Sequence, residues 1–356
     1  MPIISKTSLL SLSARLAKVH VLVVDDDTEM LQILRGLLTK LGFEQITTAT
    51  DGIEAVSILR DKQIMRYSEV DLVITDWNMT SVSGLELIKF IRNSPDSPNP
   101  YMPIIMLSGR GEWADVEQAR DAGFSEYLIK PFRAKALCDR ILLCVENPRA
   151  FVSTNTYKGP SRRRRDTGKL PPGITTDRRQ RSAENNLPGK ALKGKIGFDI
   201  NMRQIFTAEN IDVAQEYLSS HADTYRDWAM RDVGELMHTL RNARQFSDAH
   251  RYIPKIKRLA FALKSHSGIF GYALGTQVAK SLENLCSDPL KNGEHQLIVI
   301  DKHIETLQHI FVNDVKGHGG ATGAELIQGL DDLIRKYKQK TPPSKQPPIQ
   351  ESLPDQ

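Results

Sequence analysis

Residues 70–92 read VDLVITDWNMTSVSGLELIKFIR. The stretch opens on VDLVIT, a short β-branched run of the kind that forms a strand, and stops at Asp76. After a polar loop, GLELIKFIR resumes with apolar residues at helical spacing. A strand that ends in an acid and leads into a helix is one unit of an alternating α/β pattern. The neighbouring sequence repeats that unit on both sides.

Upstream, VHVLVV is an all-apolar run suited to a strand buried on both faces. It ends in Asp25-Asp26-Asp27, after which TEMLQILRGLLTKLG has helical period and a Gly42 stop. EQITTA and DGIEAVSILRDK follow before the opening stretch, and PIIML, WADVEQARDAG, EYLI and AKALCDRILLCVEN after it. Five strands and five helices alternate over residues 19–147. The expectation is a doubly wound α/β domain with a five-stranded parallel sheet.

Sites in such sheets lie at the carboxyl ends of the strands. Those ends carry Asp25, Asp26 and Asp27, then Asp76, then Ser108, then Lys130-Pro131. Clustered acids repel one another at neutral pH and are tolerated beside a hard divalent cation. A hydroxyl and an ammonium converging there suit a tetrahedral anion such as phosphoryl. A central carboxylate can itself be the nucleophile and form an aspartyl phosphate. A lone Asp at a strand end is more often a helix cap, and Asp27 fits that role.

This order of residues resembles the receiver domain of bacterial response regulators, and VDLVITDWNMTSVSGLELIKFIR is closest to the chemotaxis type. The resemblance implies a flavodoxin-like receiver with Asp76 as phosphoacceptor, and Asp25, Asp26, Asp76 and the backbone carbonyl of Asn78 as Mg²⁺ ligands. It implies Ser108 as the switch hydroxyl, Tyr127 as the aromatic that follows it inward, Lys130 as the partner of a phosphoryl oxygen, and a cis bond before Pro131. Asn78 and Arg110 fall where dephosphorylation rate is tuned. Thr80 and Ser83 stand where Pro and Asp are usual. The implied partner is a sensor histidine kinase or a histidine phosphotransfer protein. The implied chemistry is confined to the receiver's own phosphorylation and dephosphorylation, so the protein is a signalling phosphoacceptor and not an enzyme in the ordinary sense.

The 356 residues carry a net charge of +5, but unevenly. Residues 158–195 hold 12 Lys/Arg against 3 Asp/Glu, whereas residues 19–147 hold 13 against 20. The span 148–200, with SRRRRD, LPPG, DRRQR and LPGK, has few apolar anchors and is expected to be a basic disordered linker. Its Arg162–Arg165 run and Arg178–Arg181 cluster allow a competing reading as a DNA-binding regulator, although no helix-turn-helix or ribbon pattern accompanies them. Residues 1–18 suggest a short amphipathic helix or extension rather than a signal peptide. No apolar run is long enough to cross a bilayer. Cys138, Cys144 and Cys286 fit buried free thiols in a reducing, cytoplasmic setting.

Beyond Phe198 only helical patterns remain, at 208–220, 223–245, 253–269, 272–286, 294–314 and 322–339, and they predict an all-α bundle over 201–340. Asp288-Pro289 and Asn292-Gly293 mark a loop, and residues 341–356 form a Pro-rich tail expected to be disordered. Within the bundle, FALKSHSGIFGY at 261–272 resembles the signature helix of histidine phosphotransfer domains, with Phe261 at the phosphoacceptor His position. By that resemblance Phe261, Lys264, Ser265 and Gly268 form a face shaped to dock a receiver or effector without phosphoryl transfer. His266 aligns with the apolar side of its helix. His250 and His303 are expected on the surface.

Overall fold

The computed structural model describes residues 14–61, 69–162, 190–198, 200–245, 249–287 and 293–340. The chain divides into two compact units, Met1–Asp223 and Thr224–Gln356.

Five strands build the first unit's sheet: β1 His20–Val24, β2 Gln45–Ala49, β3 Leu72–Asp76, β4 Ile104–Ser108 and β5 Glu126–Ile129. All pair in parallel, in the order β2-β1-β3-β4-β5. β1, β3 and β4 are buried throughout, as their unbroken apolar runs require, whereas the edge strand β2 is largely half-exposed. Between them run α1 Thr28–Lys40, α2 Gly52–Arg60, α3 Gly84–Asn93, α4 Trp113–Ala122 and α5 Ala134–Glu146. Leu22, Val24 and Val73 from the strands meet Leu87, Ile88 and Ile91 of α3 in the core. Caps fix where these helices begin. Asp27 accepts from the N–H groups of Glu29 and Met30, Asp51 from Glu54, and Ser83 with Glu86 closes a capping box.

Register brings the site together. Val24 pairs with Thr75, Asp76 with Leu107 and Ser108 with Ile129. Asp25, Asp76, Ser108 and Lys130 are therefore neighbours along one edge of the sheet.

The expectation of a structureless span at 148–200 is corrected at both of its ends, while residues 163–189 lie outside the described residues. Strands β6 Phe151–Ser153 and β7 Lys158–Pro160 form an antiparallel hairpin. Phe151 is buried against Tyr101, ring centroids 4.5 Å apart. The fully buried Arg92 stacks on Phe151 and donates to the carbonyls of Gly123, Pro100 and Met102. At the other end, α6 Lys190–Ile196 buries Leu192 and Ile196 and pairs Lys195 with buried Asp71 at 2.8 Å. One lysine of the basic span, Lys195, thus neutralises a receiver carboxylate. The expected helix at 208–220 is present as α7 Ala208–Ser220, but it belongs to the first unit rather than to the bundle. Of the N-terminal segment, residues 14–18 are described, and Leu16 is buried. The Pro-rich tail at 341–356 and the loop at 288–292 lie outside the described residues.

The second unit is all-helical: α8 Ala222–Gln245, which starts just before the unit boundary, α9 Ile253–Ser267, α10 Ala273–Leu285, α11 Gly293–Val312 and α12 Gly320–Lys340. Each apolar stripe meets another, with Leu236, Leu263, Val278, Leu282, Leu307 and Phe311 in the core. The small residues of FALKSHSGIFGY serve this packing. Ser267 is fully buried and shares a 2.8 Å hydrogen bond with Tyr225, whose ring stacks on Phe270. Gly271 turns the chain at φ 89, and Gly275 admits Ser267 and Phe311 against α10. No helix among the described residues is long and apolar enough to cross a membrane. None of the three cysteines is in a disulfide and all are buried; burial raises Cys138 and Cys286 to about 12.

Candidate functional site

Asp76, at the end of β3, is buried and accepts a hydrogen bond from the Asn78 N–H at 2.7 Å through Oδ2. Its Oδ1 lies 2.6 Å from Lys130 Nζ, which also reaches Asp25 Oδ2 at 3.0 Å. The Lys130 side chain is only 2% exposed, so one enclosed ammonium bridges two carboxylates. Asp25 Oδ1 accepts from the Asp27 N–H, and Asp26 Oδ2 accepts from the Thr80 N–H. Asp27 itself caps α1 and turns away from this group.

Three carboxylates face one ammonium, and Asp76, Asp26 and Lys130 all titrate away from their ordinary values. Burial, opposed by Lys130 and helped by Asp25, lifts Asp76 to about 7. Asp26 is also raised, by burial and then by Asp25. Burial disfavours the charged form of Lys130, yet Asp25 and Asp76 outweigh it and hold Lys130 above the usual lysine range.

Oxygen donors with excess negative charge suit a hard cation such as Mg²⁺. Among the described residues no three acidic, His or Cys side chains form a ready metal cage.

Ser108 and Tyr127 stand beside the carboxylates, linked through Arg110. The Arg110 N–H donates to Ser108 Oγ at 2.9 Å, and the Tyr127 hydroxyl donates to the Arg110 carbonyl at 2.7 Å. The Arg110 guanidinium donates to Asn78 Oδ1 at 3.0 Å and lies over the Trp77 ring at 5.4 Å. Tyr127 meets Trp77 edge-on and Phe124 at a tilt. The Lys130–Pro131 peptide is cis. Thr80 and Ser83 have plain structural duties: the first orients Asp26, and the second caps α3.

Two residues of this site went unassigned in the sequence. Trp77 is buried and carries both Arg110 and Tyr127; its position directly after Asp76 was the available signal. Gly84 is the closer approach, because a Cβ there would collide with the Asp76 carbonyl.

In the helical unit, the residues of the expected docking face do not share one exposure. Phe261, Lys264 and Gly268 are half-buried, whereas Ser265 is buried and bonds the Phe261 carbonyl at 2.8 Å. Ser265 therefore packs inward and does not open the helix surface. Lys264 Nζ sits 4.4 Å from the Phe261 ring centroid and 2.7 Å from Glu283. His266 is half-buried and His250 exposed. The expectation for His303 is corrected: it is wholly buried, between Ser281 Oγ and the Val299 carbonyl. Helical period places His303 on a face, but the neighbour that covers that face is α10.

Residues 21–142 match the family model "Response regulator receiver domain". The Chemotaxis protein CheY homolog of Campylobacter jejuni is 38% identical over 34% of this chain and 87% of its own length. Chemotaxis protein CheY1 of Helicobacter pylori is 36% identical over 34% of this chain and 91% of its own. A crystal structure of a response regulator receiver domain protein from Clostridium thermocellum is 31% identical over 35% of this chain and 90% of its own, with a TM-score of 0.30. With its sheet order, its strand-end residues and the two chemotaxis relatives in agreement, the chain belongs to the response regulator receiver family and carries, at residues 21–142, a CheY-like receiver domain of two-component signalling.

Proposed function

We propose that the protein accepts a phosphoryl group on Asp76 from a phosphohistidine of a sensor kinase or phosphotransfer protein. The observation that carries this reading is Lys130 Nζ held 2.6 Å from Asp76 and 3.0 Å from Asp25 in a buried, net-negative pocket. An Asp76 carboxylate oxygen attacks phosphorus, and the P–N bond to the donor imidazole breaks. The electron pair goes to the imidazole nitrogen, which takes up a proton, and Asp76 becomes an acyl phosphate. Lys130 bonds an oxygen of the transferred group as charge develops on it. Asp25, Asp26 and the Asn78 carbonyl would hold Mg²⁺ with Asp76. Bound there, the cation supplies positive charge that keeps the carboxylates ionised and screens the phosphoryl oxygens.

Ser108 turns toward the new phosphoryl oxygens in this reading, and Tyr127 follows, exchanging its bond to the Arg110 carbonyl for a place inward. Arg110 and Asn78, joined at 3.0 Å, stand where they limit water's approach and so set the lifetime of the acyl phosphate. The helical unit serves as a docking or output module, with the part-exposed Phe261 and Lys264 at its contact face. The competing reading, DNA binding through the basic segment, rests on Arg163–Arg165 and Arg178–Arg181, which lie outside the described residues; Arg162 pairs with Asp121 at 3.2 Å and covers the Tyr157 ring.

Acetyl phosphate with Mg²⁺ tests the reading. The intact protein is expected to gain one phosphoryl mass, and Asp76→Asn to gain none; equal labelling of both would reject Asp76.

A further inference from the structure

Helix α7 lies beyond the family match, yet it shares the receiver's compact unit and packs against α1 and α5. Those two helices start directly behind the charged groups of the site. α1 begins at Thr28, after Asp25–Asp27, and α5 begins at Ala134, four residues past Lys130. The 3.0 Å ion pair between Lys130 and Asp25 therefore spans the origins of both helices.

Specific contacts hold α7 in place. Ala214 and Leu218, one turn apart, are buried. The Tyr217 hydroxyl lies over Gly36 of α1, where a Cβ would collide with it. Gln215 Oε1 accepts the Ala134 N–H at 3.0 Å. That N–H is one of the groups a helix start leaves without an internal partner, and Arg133 at the N-cap makes no side-chain bond to satisfy the turn. The first turn of α5 is thus capped from outside the receiver domain.

We propose that α7 is a positioning element of the phosphoacceptor site. By tying the start of α5 to α1 through Gln215 and Tyr217, it sets where Lys130 stands relative to Asp25 and Asp76. Gln215 touches no reacting atom; it acts through the short segment 130–134. Without its acceptor the Ala134 N–H loses its partner, the segment gains freedom, and the ammonium no longer waits at the geometry the transferring group needs. The functional receiver of this chain then extends to Ser220. This inference rests on the phosphoacceptor reading above.

The test uses the full chain with acetyl phosphate and Mg²⁺, following phosphoryl uptake by intact mass and amide exchange by mass spectrometry. Gln215→Ala is expected to lower the saturating uptake rate roughly three- to tenfold, with half-saturation little changed. It should also expose the Ala134 amide to exchange. Gln215→Glu keeps an acceptor, with a charge favoured at a helix start, and is expected to restore the rate to within about twofold of the parent protein. Such rescue separates positioning from simple stability. A parental rate in Gln215→Ala despite an exposed Ala134 amide overturns the proposal, as does failure of Gln215→Glu to restore the rate. If the parent protein takes up no phosphoryl group, the phosphoacceptor reading itself is lost. The brace is then judged on exchange at Asp27 and Lys130, whose N–H groups bond Asp25 Oδ1 and the Ser108 carbonyl. Faster exchange at both in Gln215→Ala sustains it, and unchanged protection overturns it.

Discussion

Lys264 and Lys130 both sit among carboxylates or rings in partly or wholly enclosed places, and their surroundings differ in kind. Lys264 in the helical unit pairs with one carboxylate, Glu283, and covers one ring, Phe261. Its charge is balanced. Lys130 in the receiver faces Asp25 and Asp76, with Asp26 beside them, and is far more deeply buried. There the charges do not cancel, and burial, helped by Asp25, raises both Asp26 and Asp76. A balanced pair contributes to a fold that is already complete. An unbalanced one is electrostatically unfinished, and its ground state improves when a cation binds or a carboxyl takes up a proton.

Lys130→Ala should separate the two environments most. It leaves Asp25 and Asp76 buried without a counter-charge, and a loss of about 3–5 kcal/mol is expected at pH 8 in urea unfolding. The loss should shrink at pH 5, where Asp76 is protonated. Asp76→Asn should act in the opposite direction. Asp76 has a folded-state value of about 7 against an ordinary 3.8, so the native state holds its proton more tightly than the unfolded chain. Stability is therefore expected to fall as pH rises from about 4 through 7, and Asp76→Asn should remove that fall. We expect a gain of about 4 kcal/mol at pH 8, fading toward pH 4. A pH-independent gain would mean that packing, not charge, is responsible.

The helical unit should show the reverse pH trend, and more weakly. Burial depresses the His303 value below the ordinary 6.5, so the unfolded chain binds the proton more readily. Stability is present above that pH and is lost as pH falls below it. Amide exchange in α10 and α11 should accelerate between pH 7 and 5.5 after correction for intrinsic rates, and His303→Gln should flatten the response. Lys264→Ala should matter least, costing under about 1 kcal/mol because the pair is surface-proximal and its charges are mutually satisfied. A larger loss would show that the Lys264–Glu283 pair, and not the apolar contacts, locks α9 to α10.

The receiver site was legible in the sequence to an unusual degree. Asp25, Asp76, Ser108 and Lys130 are far apart in number, but each ends a strand, and parallel pairing at a common register makes strand ends neighbours. Local pattern was enough to find them. The helices of the second unit were legible for a similar reason, since apolar residues at a period of 3.6 need no knowledge of a partner. The hairpin at 151–160, α6 and the allegiance of α7 were not legible. Their anchors are Gly123 and Arg92, Asp71, and Gly36, which no local rule connects to them.

By itself, then, the order of residues determined the alternation of strands and helices, which charged and hydroxyl groups stand at the strand ends, and the presence of a helical second unit. These follow from backbone hydrogen bonding and the periodicity of apolar side chains, which are properties of short stretches of chain. Tertiary structure alone decided that Lys195 closes on Asp71, that Ser265 and His303 turn inward, and that Gln215 caps the helix behind Lys130. Burial and charge neutralisation depend on which surface arrives from elsewhere, and periodicity shows the face a residue occupies without showing what will cover it.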